Sequence, residues 1–130
     1  MIMMQKLQFE SKWDKTIADK DRENIKQIFN QIKLEEKPNI QFTLLKEAIN
    51  HRGDLLVTVL MHNISNNDFP IHQKEIYYVI DDEILAKQTF DFPHLIVEKH
   101  TSMPWTFIFS NHSVASTTKK TTGTIILKNQ

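Results

Sequence analysis

The chain has 130 residues, 40% apolar, 25% charged and 9% aromatic, which suits one compact domain and excludes disordered and collagen-like chains. Sixteen Lys and Arg balance sixteen Asp and Glu, so no basic excess exists to release counterions from phosphates, and nucleic acid is not an expected partner. The absence of Cys excludes a disulfide framework, a Cys-ligated zinc and a thiol nucleophile and suits a reducing cytoplasm, while two Gly are too few for phosphate-cradling loops.

At the start, Met1-Ile2-Met3-Met4 is apolar but gives way at once to Gln5 and Lys6. A signal peptide needs a basic start, an apolar stretch of roughly 7–15 residues and a small-residue cleavage site. A spanning helix needs about 20 apolar residues. Neither pattern is present, and the expectation is a soluble cytoplasmic protein without membrane insertion. Leu7, Phe9 and Trp13 read as a short extended lead-in. Ile25, Ile28, Phe29 and Ile32 then recur at i, i+3, i+4, i+7 with Lys26, Gln27, Asn30 and Gln31 between them, which predicts a helix over about 17–34. Thr16 to Asp19 offers a cap-like start, Asp19, Asp21 and Glu23 suit the helix dipole, and Lys37-Pro38 marks the end.

Beyond Pro38 the period drops to two. Ile40, Phe42 and Leu44 alternate with Gln41 and Thr43; Asn50 to Asp54 is a turn; Leu55 to His62 is an apolar, β-branched strand. Asn63 to Pro70 is a second turn cluster, followed by a strand over Glu75 to Ile80, the Asp81-Asp82-Glu83 turn and a strand over Ile84 to Phe92. Pro104 to Phe109 sets Trp105, Phe107 and Phe109 on one face. Ser110 to Gly123 reads as a polar loop, and Ile125 to Leu127 as a last short strand. Short strands separated by turn clusters point to a β-sandwich or barrel, and the expectation is an antiparallel β-sandwich of about six or seven strands over about 39–128, with one N-terminal α-helix beside it. The whole of 1–130 reads as a single domain, since no repeat or linker divides it.

The chemistry-bearing residues give no converging motif. His51, His62, His72, His94, His100 and His112 are scattered over turns and strand ends without H-x-H or H-E-x-x-H spacing, so no metal site is expected. The acidic Asp81-Asp82-Glu83 lacks the offsets and glycine of a calcium loop and fits a hairpin tip. No G-x-S-x-G elbow is present. The reading is a non-catalytic protein with no cofactor. Tryptophan is enriched among interface hot spots, and loop ends and open sheet edges are the available surfaces of a sandwich. A protein-binding surface is therefore expected around Met103, Pro104 and Trp105, joined by Trp13, with core packing as the rival role for the Trp105 ring.

Taken together, Leu7 to Trp13, the charged helix, Ile40 to Leu44, Leu55 to Asn63, the hairpin Ile76 to Phe92 and Pro104-Trp105-Thr106-Phe107-Ile108-Phe109 resemble the SLAP domain of bacilli, named for the accessory Sec system S-layer assembly protein. The family's strand ending in an H-N step is matched by His62-Asn63, its A-x-x-x-F-D hairpin by Ala86 to Asp91, and its P-W-T-F-x-F by Pro104 to Phe109. Asp82-Glu83 stands where the family often has glycine, Phe92-Pro93 where leucine is usual, and this chain holds one copy of a domain that is duplicated in the S-layer assembly protein. The resemblance implies an immunoglobulin-like sandwich. It further implies a non-enzymatic cytoplasmic factor assisting S-layer protein export, with accessory Sec translocase components or S-layer precursors as partners.

The alternatives are a protein- or peptide-binding sandwich module unrelated to export, a small-molecule enzyme, and a protease inhibitor. The helix, meander and Pro-Trp order is similar to that of cystatin-type inhibitors, but Asn50 to Asp54 lacks their Gln-x-Val-x-Gly hairpin.

Overall fold

The structure is a computed structural model that describes residues 5–111, 123–128 and 130. The expected polar loop lies largely outside those residues, as do His112 and Met1 to Met4. In chain order the elements are β1 (Lys6–Leu7), α1 (Ser11–Thr16), α2 (Asp19–Gln31), β2 (Ile40–Ile49), β3 (Leu55–Asn63), β4 (Phe69–Ile80), β5 (Glu83–Val97), β6 (Thr101–Phe109) and β7 (Thr124–Leu127). They form a four-stranded sheet of order β1-β6-β3-β2 and a three-stranded sheet of order β5-β4-β7. This is the β-sandwich anticipated from the strand pattern. Every pairing is antiparallel except β1 with β6, which is parallel.

The core lies between the sheets. Leu55, Val57, Val59 and Met61 of β3 alternate inward and meet Met103, Phe107 and Phe109 of β6. The other sheet contributes Ile71, Ile76, Ile80, Leu85, Phe90, Leu95 and Val97. Phe90 sits edge-on to both Phe107 (5.0 Å, 67°) and Phe109 (5.2 Å, 89°), an arrangement that adds about 0.5–1.5 kcal/mol per pair beyond area burial.

Three local features set the frame. Asp81 and Asp82 both have positive φ (50° and 66°), the geometry of a type I′ turn, which Asp tolerates and which matches the strand twist of the β4–β5 hairpin. At the β2–β3 turn, Gly53 takes φ 86°, while Asn50 Oδ1 accepts the Arg52 and Asp54 amides. After β3, the fully buried Asn63 holds the loop: its Nδ2 donates to the Asn67 and Val97 carbonyls, and its Oδ1 accepts from the amide and hydroxyl of Ser65.

The helical segment differs from expectation. The helix expected over about 17–34 is α2, and an additional helix, α1, precedes it, the two separated by extended residues at Ile17 and Ala18. Trp13, expected on an extended lead-in, belongs to α1. Glu10 explains this, because its carboxylate accepts the Lys12 and Trp13 amides and caps a separate helix that starts at Ser11. Arg22 then ties the two helices together, donating to Asp14 Oδ1 (2.7 Å) and to the Asp14 carbonyl (2.8 Å) while its guanidinium covers the Phe9 ring at 4.9 Å. Leu60, His62, Ser102 and Pro104 are buried outside the inter-sheet core, on the opposite face of the β6–β3–β2 sheet. The helices lie across that face, with Ile25 buried and Ile28 half-buried.

Candidate protein-binding surface

β6 is the strand around which the predicted binding residues fall. It pairs with β3 without a register shift from Thr101 to Phe109, so its side chains alternate strictly between the two faces of the sheet. Met103, Trp105, Phe107 and Phe109 point into the sandwich, while Ser102, Pro104, Thr106 and Ile108 point toward the helical side. Met103 is buried in the core cluster and Pro104 is buried on the other face; neither presents a side chain to a partner. Trp105 is half-buried at the rim between the sheets, 5.6 Å from the Phe92 ring at 56°. Its indole N–H is buried and has no acceptor among the described residues.

Beside Trp105 runs a cleft of about 410 Å³, lined by β5 residues 88–92 and by Trp105, Thr106 and Ile108. A second, of about 270 Å³, shares Asp91, Phe92 and Trp105 and continues past Pro93 and His94 to Glu10. Among the described residues, the carboxylates lining these clefts belong to Asp91 and Glu10, and no Lys or Arg lines them. At the far end Gln88 bridges the sheets: its amide nitrogen donates to the Ile108 carbonyl (3.0 Å) and its amide oxygen accepts the Ser110 N–H (2.9 Å).

Trp13 belongs to a different cleft. It lines a groove of about 430 Å³ between the helices and the outer sheet face, with Ile17, Ile25, Ile28, Leu45 and Thr58. Trp13 and Trp105 are thus on opposite faces of one sheet and do not form one patch; Thr106 borders both clefts.

Buried polar chemistry is concentrated at His62. Its Nε2 is 2.9 Å from Thr43 Oγ1 and its Nδ1 2.6 Å from Ser102 Oγ, a row across β2, β3 and β6. Burial lowers its pKa to about 4, so the imidazole is neutral at pH 7. The other described histidines do not gather: His72 faces Asp91 at 3.0 Å and His100 faces Asn66 at 2.8 Å. Among the described residues no group of three or more His, Asp or Glu is placed to hold a metal ion. No described helix is long and apolar enough to cross a membrane.

Sequence reasoning singled out Trp105 through its Pro-Trp context but not Phe92, Gln88 or the cleft that they line with it. Those contacts arise from the stacking of β5 on β6, which no local pattern reports.

Two stacked sheets of four and three strands, with helices over the larger one, define a β-sandwich domain. The chain belongs to the SLAP domain family, whose model matches residues 7–128, from β1 to the end of β7, and whose label carries an accessory Sec designation. No curated protein and no solved structure matches the chain.

Proposed function

We propose that this protein is a non-catalytic, cytoplasmic accessory factor that assists accessory Sec-dependent export of S-layer proteins through protein–protein contacts. The observation that carries this reading is membership of the SLAP domain family over nearly the whole chain. The surface supports it. The clefts beside Trp105 and Trp13 offer apolar side chains framed by polar ones, as binding surfaces do, and the buried Met103 and Pro104 serve to hold the strand that carries Trp105.

The test is capture by the immobilised protein from a bacillus lysate, with bound proteins identified by mass spectrometry. Retention of the accessory translocase ATPase or of S-layer precursors, lost on competition with free protein, is the expected result. Recovery of neither, under conditions in which both are present in the lysate, contradicts it.

A further inference from the structure

Among the described residues, main-chain groups on one side of β6 have their partners at both ends and none in the middle. Near its start, the Lys6 N–H donates to the His100 carbonyl and the Gln8 N–H to the Ser102 carbonyl, each at 2.9 Å. Near its end, Gln88 takes the Ile108 carbonyl and the Ser110 N–H. All of these are even-numbered residues, and because peptide groups alternate sides along a regular strand, the Pro104 carbonyl, both groups of Thr106 and the Ile108 N–H turn the same way. No strand pairs with them, and no hydrogen bond joins them to any described residue.

Pro104 explains why β1 stops where it does. The next rung of the parallel ladder would need the N–H of Pro104, which proline lacks, and the chain leaves for α1. The uncovered stretch opens onto the cleft of about 410 Å³ beside Trp105, with Ile108 48% exposed at its rim.

We propose that this edge receives an extended segment of a partner protein as an added strand between β1 and the Gln88 amide. The segment bonds to the Pro104 and Thr106 carbonyls and the Thr106 and Ile108 amides. An apolar side chain lies against Trp105 and Phe92, and a neighbouring basic side chain faces Asp91 and Glu10. The sign follows from the described lining, which carries carboxylates and no Lys or Arg. The length argues for a peptide over a second copy of this chain. Pro104 to Ile108 spans only about 13–14 Å of strand at roughly 3.3 Å per residue, closed at each end, whereas sheets that pair edge to edge do so along extended open edges. The proposal deepens the accessory-factor reading by naming its surface, yet its test needs no export component.

The experiment is amide hydrogen exchange by NMR on the purified protein, alone and with the peptide acetyl-Lys-Val-Phe-Val-Lys-amide. In the free protein the Thr106 and Ile108 amides are expected to exchange at least about 100-fold faster than those of Met103, Trp105 and Phe107, which donate to β3. Saturating peptide should slow them about tenfold. Ile108→Pro removes one edge donor without touching the core and should weaken the peptide about tenfold, whereas Ile108→Thr keeps the N–H and should stay within about threefold. The same peptide with Glu in place of Lys should bind more weakly. Slow exchange at Thr106 and Ile108 in the free protein overturns the proposal. So does protection that grows with protein concentration alone, which marks a second copy on the edge. Absence of protection by the peptide, equal binding to Ile108→Pro, or equal binding of the Glu peptide likewise overturns it. None of these failures affects capture of translocase components through another surface, so the two readings fail separately.

Discussion

His62 Nδ1 lies 2.6 Å from Ser102 Oγ, and Ser102 Oγ in turn accepts from Gln5 Nε2 at 3.2 Å. Gln5 Nε2 also donates to the Asn63 carbonyl. If the Ser102 hydroxyl proton goes to His62 Nδ1, the imidazole carries its proton on Nε2 and donates to Thr43 Oγ1. That direction leaves none of the groups between Gln5 and Thr43 without a partner. The row joins the residue before β1 to β6, β3 and β2 beneath the helices.

This row makes stability depend on pH. His62 has a folded pKa of about 4 against 6.5 for the unconstrained side chain, so the unfolded chain binds the proton first as pH falls. Stability should be full above about 6.5 and decline between about 6.5 and 4, by an amount on the order of 3 kcal/mol, with no further loss from this group below that. Urea unfolding at pH 7.5 and at pH 4.5 measures it. His62→Gln should lower stability at pH 7.5 and flatten the slope; an unchanged slope in that variant would remove His62 as its source.

Trp105 carries two separable contributions. Trp105→Ala removes the contact with Phe92 and should cost about 2–3 kcal/mol, below the usual range for a fully buried aromatic because the ring is half-exposed. Trp105→Phe keeps most of the apolar contact and deletes an indole N–H that has no acceptor among the described residues. It should cost less than about 1 kcal/mol. Thermal denaturation of the two variants side by side checks this, and equal losses would contradict it.

Gln88 holds the β5 edge to the end of β6 through both atoms of its amide. Gln88→Leu keeps the length and removes these bonds. A loss of about 1–2 kcal/mol is expected, together with faster hydrogen exchange at the Ser110 amide and no change at Phe107. Exchange at Ser110 as slow as in the wild type would show that Gln88 does not hold that edge.

Along α2 the cost of truncation should follow burial. Ile25→Ala, at a position 7% exposed, should cost about 2–4 kcal/mol, whereas the half-buried Ile28 should cost less than half of that. Denaturant midpoints decide it, and a larger loss at Ile28 would mean that the helix packs on the sheet through a different face.

The parts of the fold that could be read in advance are those whose cause is local. Period-two alternation marked the start of β2 and the second half of β6, a β-branched apolar run marked β3, and Asp81-Asp82 marked the hairpin because paired left-handed residues favour such side chains. The start of β4 was hidden because register shifts between Pro70 and Lys74 and a positive φ at Gln73 break the alternation that pattern reading depends on. The helix α1 was missed because Ser11 to Thr16 is too short to show an apolar repeat, and its start depends on the Glu10 side-chain cap. For the candidate surface, Trp105 was singled out by its neighbour Pro104, but the role of that proline in ending β1 depends on the parallel pairing of Lys6 and Leu7 with Thr101 and Ser102. Met103 and Pro104 looked like surface because a proline before an aromatic strand resembles a loop; in the fold both lie within β6 and are covered on their respective faces.

The central claim, an accessory role in S-layer protein export, is tested most directly in the organism that carries this gene. S-layer protein at the cell surface and its precursor in the cytoplasm are measured after deletion of the gene and after its return on a plasmid. Precursor should accumulate inside the deleted strain while surface protein falls, and the wild-type gene should reverse both. Surface and precursor levels unchanged by the deletion would contradict the account.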